Sequence, residues 1–289
     1  MTKFLIVNAD DFGLEKEIND GIAKAHREGV ATSASLIANG GAFDHAVALA
    51  RESPKLDVGA HLTLTRGPSR VGSPVLTSTE AHSLVRNTGL LPQSPTALAA
   101  RIAFGTVDMR QVEKELRAQM EKIRSAGIRI THIDSHQHIH MVPAVFRIVM
   151  GLAHEFGVTW VRLPVMWPSP HRGPAAPPLQ RLKSKLLSGL AIWNSRLTAG
   201  QGLRSAQYHV GIEFSGRLCE DTIERIITNL PDGIVELSCH PGSDNAHLGG
   251  NHPWGYMWEQ ELAALCSPRV LEAIEKSNIK LTNYSGLNS

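Results

Sequence analysis

The feature that most constrains the fold of this chain is a repeated alternation between short apolar segments and longer segments of helical periodicity. The short segments have the length of buried strands, and the longer ones repeat their apolar residues every three or four positions. Such alternation favours a mostly parallel sheet covered by helices. The predicted strands cover residues 3–9, 30–38, 57–64, 129–135, 158–163, 233–238 and 279–283, and the predicted helices cover residues 15–28, 42–51, 110–125, 142–156, 220–229 and 269–276.

About seven strands of this kind suit a closed or nearly closed α/β barrel of the TIM type. An open, doubly wound sheet is the second choice, which the absence of a GxGxxG fingerprint weakens. Two stretches interrupt the alternation: residues 67–95, rich in small and turn-forming residues, and residues 163–200, where a proline-rich loop leads into a leucine-rich, basic segment. With no internal repeat and no linker-like boundary, we expect residues 1–289 to form one α/β domain with these two loop insertions.

Charge and composition exclude several classes of protein. The chain has 289 residues, 42% of them hydrophobic, and a formal net charge of +2. It can therefore bury a full core, and it lacks the concentrated positive charge of a nucleic-acid-binding protein. No apolar run reaches the ~20 residues of a membrane-spanning helix, and the cysteines form no CxxC pair that would indicate a disulfide framework or metal site. Because a predicted strand begins almost at once, without a signal peptide, we expect a cytoplasmic protein.

Two adjacent acids end the first predicted strand. Asp10 and Asp11 follow an apolar run and precede the first predicted helix. Catalytic groups of α/β barrels lie at the carboxyl ends of strands. Because adjacent strand residues point in different directions, one carboxylate can bind a metal while the other faces a reacting water. The alternative is that one acid only caps the following helix, although a cap does not need two acids.

Histidine is the unusual component of the composition, with 14 residues. His61 lies within the third predicted strand, where a single histidine is more often a buried structural residue than a ligand. Residues 131–140 carry a more specific signal, because their period-two pattern places polar side chains on one face for as long as the strand continues. Imidazole and carboxylate groups on one face suit a metal site, and a solvated histidine-rich loop is the alternative. The side chains of this face are His132, Asp134, His136, His138 and His140.

One more histidine, His240, follows the strand predicted at residues 233–238 and precedes a proline. An imidazole at this position can protonate a leaving group while a carboxylate acts as base. A turn histidine beside Pro241 is an equal alternative. The neighbouring Cys239 is predicted to be a small buried side chain and not a nucleophile, because no activating pair accompanies it.

These motifs resemble those of the YdjC-like carbohydrate deacetylases, a family that includes chitooligosaccharide deacetylase. The matching segments occur in family order across most of the chain. They are IVNADDFG at residues 6–13, GAH at residues 59–61, THIDSH at residues 131–136 and CHP at residues 239–241.

The resemblance implies a distorted TIM-like barrel and a divalent metal ion held by Asp11, His61 and His136. It also implies that Asp10 is the base and His240 the acid in hydrolysis of an N-acetyl amide to a free amine and acetate. Zinc suits an Asp-His-His donor set, and magnesium or another divalent ion is the alternative.

Further side chains are candidates for supporting roles. Asp134 is expected to orient a histidine ligand or to hold the acid. Arg162 is expected either to hydrogen-bond sugar hydroxyls or to form a structural ion pair, and His138 is a candidate for contact with the substrate or for support of a ligand. Trp254 and Trp258 offer either a stacking face for a sugar or closure of the barrel.

Within the family, the chain looks most like the branch associated with hopanoid biosynthesis. The proline-rich loop, the run at residues 162–164 and the segment at residues 179–197 carry this resemblance. It implies that the substrate is an N-acetylglucosaminyl hopanoid and that the protein contacts the inner membrane peripherally. The alternative for the leucine-rich segment is that Leu182, Leu186 and Leu190 form the core face of an ordinary helix.

Other functions fit the same motifs. The substrate can be a soluble chitooligosaccharide, or the metal site can act on a phosphoester or a cyclic amide. A non-catalytic, metal-dependent binder of carbohydrate or lipid is the alternative from a different class. The expected partner is thus an N-acetylated sugar and not a nucleic acid, and a homodimer is compatible with a chain of this length.

Overall fold

A parallel β-sheet forms the centre of the protein. The computed structural model describes residues 2–67, 72–167, 178–198 and 200–287, and in these residues eight strands join one sheet. The strands are β1 (Lys3–Phe12), β2 (Ser33–Leu36), β3 (Asp57–Leu62), β4 (Ile130–Ser135), β5 (Trp160–Val161), β6 (Tyr208–Val210), β7 (Gly233–Cys239) and β8 (Ile279–Thr282).

The sheet curls into a distorted barrel. Its strand order is β5-β4-β3-β2-β1-β7-β6, and β8 pairs with the first half of β1, before the point where β1 begins to pair with β2. Isolated parallel bridges, Trp160 with Arg204 and Met166 with His209, connect the β5 and β6 sides of the sheet. The predicted α/β barrel is therefore confirmed, and the open doubly wound alternative is not what the chain forms.

Helices cover the sheet, and local sequence explains where several begin and end. The side chain of Asp108 caps α5 by accepting a hydrogen bond from the backbone N–H of Arg110. Pro143 opens α6, and Gly157 ends it in the left-handed conformation. The helices are α1 (Lys16–Glu28), α2 (Phe43–Glu52), α3 (His82–Val85), α4 (Pro95–Ala103), α5 (Met109–Ser125), α6 (Pro143–Phe156), α7 (Pro178–Thr198), α8 (Glu220–Thr228), α9 (Asn245–Asn251), α10 (Trp258–Leu265) and α11 (Pro268–Lys276).

Most of these elements agree with the sequence prediction to within a few residues, and the differences are local. The sequence did not predict β6, α4, α9 or α10, all of which are short. The predicted insertion at residues 67–95 contains the single-turn helix α3. Most of the predicted proline-rich loop, residues 168–177, lies outside the described residues. No helix in the described part of the chain has both the length and the apolar character needed to cross a membrane.

Candidate functional site

A cavity of about 300 Å³ opens at the carboxyl ends of the strands. It brings together residues from the ends of β1, β3, β4 and β7, which are distant in the sequence but adjacent in the barrel. Among the residues that line it are the two acids and four of the histidines singled out above: Asp10, Asp11, His61, His136, His138 and His240.

An irregularity in β1 lets both adjacent acids line the cavity. The register between β1 and β2 shifts between Ala9 and Phe12, and Asp11 has a φ of +68°, in the left-handed region. A non-glycine residue held in a sparsely populated conformation costs about 1–3 kcal/mol, and such residues cluster at active sites. In a regular strand, Asp10 and Asp11 would point to opposite faces.

One acid and two histidines form a compact group. The Oδ1 atom of Asp11 lies 2.8 Å from Nδ1 of His136 and 3.4 Å from Nε2 of His61. One donor atom from each of the three side chains lies within 4.8 Å of the others. A carboxylate oxygen with two imidazole nitrogens is a donor set that suits zinc and other divalent ions, and it leaves further coordination positions for water and substrate.

The ionisation of this group also suits a cation. Burial alone would raise the pKa of the Asp11 carboxyl, but the charges and hydrogen bonds of His136 and His61 hold that pKa well below its usual value. Asp11 is therefore ionised and available to a metal ion.

Asp134 orients His61, which is one of the two roles that the sequence analysis gave to Asp134. The Nδ1 atom of His61 lies 2.7 Å from Oδ1 of Asp134, which leaves Nε2 to face Asp11. Burial alone would lower the pKa of His61, but Asp134 and Asp11 raise it to about 10. A carboxylate that holds the second nitrogen of a ligand histidine is a common support for metal sites.

Asp10 is held by a bidentate ion pair. The Nη1 and Nη2 atoms of Arg162 donate to its two carboxylate oxygens at 2.8 Å each, and Asn8 Nδ2 donates to Oδ1 at 2.8 Å. Burial opposes the charge on Asp10, but the nearby guanidinium outweighs this effect and lowers the pKa of the carboxyl. Asp10 is therefore ionised, and its orientation is fixed.

The guanidinium of Arg162 is buried and shared by further carboxylates. Its Nη2 lies 2.7 Å from Oδ2 of Asp134, and its Nε donates to Glu236 at 2.5 Å. This geometry matches the ion-pair alternative for Arg162. It does not match a contact with sugar hydroxyls, because the carboxylates occupy the guanidinium and Arg162 is not among the residues that line the cavity.

Ser35 and Glu236 belong to this network, although sequence reasoning gave neither a role. Ser35 Oγ accepts a hydrogen bond from Asn8 Nδ2 at 2.7 Å and donates to Asp134 Oδ2 at 2.8 Å, so it links the surroundings of Asp10 and Asp134. Glu236 is the only acidic residue of the otherwise apolar strand β7, and this position could have marked it as a buried, paired carboxyl group. No comparable signal marked Ser35, a small hydroxyl residue in a short strand.

The histidines of residues 131–140 do not all share one face, because the strand ends at residue 135 as predicted and the shared face ends with it. Strand β4 ends at Ser135, and a 3-10 segment follows in which Gln137 and His138 have left-handed φ values of +56° and +54°. The turn separates the side chains, because the period-two alternation stops where the strand stops. His138 lines the cavity, whereas His140 is buried, with Nε2 2.9 Å from the backbone oxygen of Arg162.

His132 lies in the barrel interior and not in the cavity. Its Nε2 is 3.1 Å from Ser35 Oγ, and its ring stacks on Tyr284. Gly59 in β3 makes room for it, because a Cβ atom on Gly59 would lie 2.4 Å from that same nitrogen. His132 is therefore a structural residue behind the site.

The wall around His240 is aromatic. The backbone N–H of His240 donates to Oε2 of Glu261 at 2.6 Å, while its Nδ1 has no hydrogen-bond partner among the described residues. The ring of Tyr256 packs edge-on against His240, with the ring centroids 5.0 Å apart. Trp254 also lines the cavity, whereas Trp258 is buried. Of the two predicted tryptophans, Trp254 therefore lies at the site and Trp258 in the core directly behind it, with their ring centroids 6.3 Å apart.

Comparison with known proteins identifies the family. A family model described as YdjC-like protein matches residues 4–276. The chain belongs to the YdjC-like family.

Relatives of this YdjC-like chain include named enzymes. It is 46% identical over 285 residues to a carbohydrate deacetylase of Brevibacillus brevis, covering 98% of this chain and 99% of the relative. A carbohydrate deacetylase of Geobacillus stearothermophilus is 31% identical over 285 residues, covering 98% of each chain. A solved structure from Enterococcus faecalis V583, provisionally named as a cellobiose-phosphate cleavage protein, matches with a TM-score of 0.78 and 27% identity over 99% of both chains. The predicted family is confirmed, and the hopanoid-associated branch stays a prediction.

Proposed function

We propose that this YdjC-like protein is a metal-dependent carbohydrate deacetylase that hydrolyses the N-acetyl group of an N-acetylglucosamine-type sugar. One observation carries the proposal: Asp10 and His240 line the same cavity as the cluster of Asp11, His61 and His136. Hydrolysis of an amide needs a base for water, an acid for the leaving nitrogen and a group that polarises the carbonyl. The names of the Brevibacillus and Geobacillus relatives agree with this reaction.

The donor set fits a divalent ion. Asp11, His61 and His136 would hold it, because they offer one ionised carboxylate and two imidazoles within 4.8 Å of one another. When bound, such an ion supplies Lewis-acid polarisation of the acetyl carbonyl and favours the deprotonation of water.

Asp10 is the residue that accepts the proton of the attacking water. A carboxylate has about four acceptor positions, and Arg162 and Asn8 use three of them through the contacts described above. The remaining position is free for the water. The ion pair with Arg162 keeps Asp10 ionised and fixes the plane of its carboxylate, so the base is oriented before the substrate binds.

His240 is the residue that returns a proton. When the carbon–nitrogen bond breaks, the amide nitrogen takes up a proton, because it cannot leave as an anion at neutral pH. The imidazole of His240 lines the cavity, and its buried Nδ1 lies 4.0 Å from Oε2 of Glu261, so Nε2 is the nitrogen proposed to donate. The products are acetate and a sugar with a free amine.

The aromatic wall suits a sugar. Trp254 and Tyr256 line the cavity with their ring centroids 5.4 Å apart. Aromatic faces present an apolar surface, and in Trp254 a polar N–H accompanies it. Nε1 of Trp254 is buried and has no hydrogen-bond partner among the described residues, so the sugar is expected to meet the ring of Trp254 and not its N–H.

For the substrate we favour an N-acetylglucosaminyl hopanoid over a soluble chitooligosaccharide. An apolar groove of about 470 Å³ adjoins the cavity, and the two share Gln137, His138 and Lys183 as lining residues. A sugar joined to a polycyclic lipid would leave its apolar part in this groove. We further propose that the reaction takes place in the cytoplasm, peripheral to the inner membrane.

The experiment is to measure acetate release by metal-reconstituted protein. Chitooligosaccharides are compared with an N-acetylglucosaminyl hopanoid, with Asp10→Asn as the control and phosphate release from phosphorylated sugars measured in parallel. Release from the lipid-linked sugar alone supports both the reaction and the branch, and release from soluble oligosaccharides supports the reaction but not the branch. Phosphate release without acetate, or binding of sugar without turnover, would contradict the proposal.

A further inference from the structure

Helix α7 buries small and polar side chains and exposes large apolar ones, unlike an ordinary surface helix. The residues that it buries are small or polar: Ser184, Ser188, Ala191 and Asn194. Leu182, Leu186 and Leu190 are all exposed. The alternative in the sequence analysis was that these three form the core face of an ordinary helix. That alternative is therefore wrong, because these three leucines face outward, while Leu187 and Leu197 pack against the core beside the buried hydroxyl and amide side chains.

The exposed face of α7 forms one continuous apolar stripe. Leu182 is 54% exposed, Leu186 63% and Trp193 56%. Spacings of three and four residues place the members of the stripe on one side of a helix. The stripe consists of Leu179, Leu182, Leu186, Leu190 and Trp193. In the described part of the chain, α7 carries six of the ten exposed large hydrophobic side chains.

The charge on α7 has a single sign. Its basic residues are Arg181, Lys183, Lys185 and Arg196, and residues 178–198 contain no aspartate or glutamate. The guanidinium of Arg196 lies 5.8 Å from the ring of Trp193, at one end of the stripe. An apolar stripe flanked by basic residues, with a tryptophan on it, is typical of a helix that lies in the plane of a membrane interface.

The stripe also borders the route into the catalytic cavity. Leu179, Leu182, Leu186 and Leu190 line the apolar groove, and Lys183 lines both that groove and the cavity. A surface that binds α7 would therefore lie beside the mouth of the site.

We propose that the exposed face of α7 docks on an anionic lipid bilayer. The leucines and Trp193 enter the boundary between headgroups and acyl chains, and the basic side chains contact the anionic headgroups. This inference rests on the exposure and charge of α7 and not on the reaction proposed above.

A second copy of this chain fits the surface less well. The commonest dimers are symmetric, and a symmetric contact sets the same patch against itself. Two α7 helices in such a contact would bring their basic residues together without an acidic partner on either helix, and like charges across an interface oppose association.

The test is sedimentation of the full chain with two kinds of vesicle, one of phosphatidylcholine alone and one of equimolar phosphatidylcholine and phosphatidylglycerol. We expect at least about tenfold stronger partitioning to the anionic vesicles, weakened by added salt because screening reduces the attraction. The double variant Leu182→Ser/Leu186→Ser should lose at least about tenfold in partitioning, since two apolar side chains no longer enter the interface. Leu271→Ser, a matched control at an exposed leucine of α11, should partition like the wild type.

A spectroscopic readout ties the binding to α7 itself. Trp193 is exposed in the free protein, so its fluorescence should shift to the blue on binding to anionic vesicles, and Trp193→Phe should lack that change. Circular dichroism checks that each variant is folded. Absence of partitioning at low salt, or equal partitioning of the double leucine variant, would overturn the proposal. So would a wild-type dimer that the same leucine changes dissociate in analytical ultracentrifugation, because a second copy would then cover the stripe.

Discussion

At the scale of single residues, the candidate site depends on one buried guanidinium shared by three carboxyl groups. The guanidinium of Arg162 contacts Asp10, Asp134 and Glu236, and all four side chains are buried. Buried charges are tolerated only when they are paired and hydrogen-bonded. Through Asp10 the guanidinium holds the proposed base, and through Asp134 it holds the residue that orients a proposed metal ligand.

Replacement of Arg162 should therefore destabilise the fold strongly. For Arg162→Met we expect a loss of about 3–5 kcal/mol in the free energy of unfolding, because removal of one partner leaves the buried carboxylates uncompensated. Urea unfolding of the metal-free protein measures it. Arg117→Met is the matched control: Arg117 pairs with Glu113 and Glu155 at the surface, where such pairs contribute less than about 1 kcal/mol. Equal losses in the two variants would show that the buried network is not what matters.

Replacement of Asp134 should weaken the metal site without removing it. In Asp134→Asn, an amide replaces the carboxylate that holds His61, and such changes usually cost about 10–100-fold in metal affinity. Asp11→Ala should instead fail to bind one ion per chain, because a proposed ligand is missing. Competition with a chromophoric chelator measures both affinities. Unchanged affinity in Asp134→Asn, or full occupancy in Asp11→Ala, would contradict the ligand assignment.

Metal binding should release a proton and tighten as pH rises. In the metal-free protein, Asp134 and Asp11 raise the pKa of His61 to about 10 against the effect of burial, so its imidazole is charged at neutral pH. A ligand imidazole must be neutral, so an incoming ion displaces about one proton, and the affinity should rise about tenfold per pH unit up to the pKa.

Titration calorimetry in buffers of different ionisation enthalpy detects this proton. The observed heat should vary linearly with the ionisation enthalpy of the buffer, and the slope should correspond to release of about one proton per ion. A heat that does not depend on the buffer would contradict a protonated His61.

The residues that meet in the cavity were largely predictable, whereas the contacts behind them were not. Asp10, Asp11 and His240 are chemically distinctive and lie at strand ends, so the alternation of strands and helices is enough to bring them together. The carboxyl partners of Arg162 were not predictable, because a guanidinium at a strand end can face either a cavity or the protein interior. Ser35 could not have been found, because many serines occur in strands without a role.

At the scale of elements, the site is built on the close approach of β3 and β4. Gly59 in β3 leaves room for the ring of His132 in β4. His132 contacts Ser35 in β2, and Ser35 donates to Asp134. The packing of these neighbouring strands is therefore connected to the carboxylate that orients His61.

A methyl group on Gly59 should disturb both packing and site. Gly59→Ala places a Cβ atom 2.4 Å from His132 Nε2, and overpacking of this kind costs about 1–3 kcal/mol. We also expect weaker metal affinity, because a displaced His132 shifts Ser35 and Asp134. Gly151→Ala is the control, since a Cβ atom at that position in α6 meets nothing within 4 Å; it should stabilise the protein by up to about 1 kcal/mol. Urea unfolding and chelator competition measure the two effects, and equal stability of the two variants would refute the steric argument.

The helices that were predicted have a strong apolar period, whereas α4, with nine residues like α8 and α11, was missed because it buries only Leu98. The helix α1 repeats its buried Ile18, Ile22 and Ala25 in the predicted pattern. The strand β6 has three residues, too few for a period to be read. The end of β4 at Ser135 agrees with the prediction, whereas the turn after it was not predictable, because left-handed conformations at Gln137 and His138 do not follow from these residue types.

At the scale of the whole molecule, three features lie side by side: the polar cavity of the candidate site, the apolar groove and the exposed stripe of α7. The cavity and the groove share Lys183, and the leucines of α7 line the groove. This arrangement suits a substrate with a polar sugar and an apolar remainder, presented at a lipid surface. The cavity lies at the strand ends of the barrel, whereas the stripe and one wall of the groove come from α7, in the part of the chain that breaks the strand–helix alternation.

The measurement that tests the central claim most directly is acetate release as metal is titrated into metal-free protein. Wild-type protein and Asp10→Asn are compared on the same N-acetylated substrate, with bound metal determined in each sample. We predict that wild-type activity rises to a plateau at one ion per chain, and that Asp10→Asn binds the same ion but is slower by about 10²–10⁴-fold, the usual contribution of a general base. Full activity of the metal-free protein, or undiminished activity of Asp10→Asn, would contradict the account.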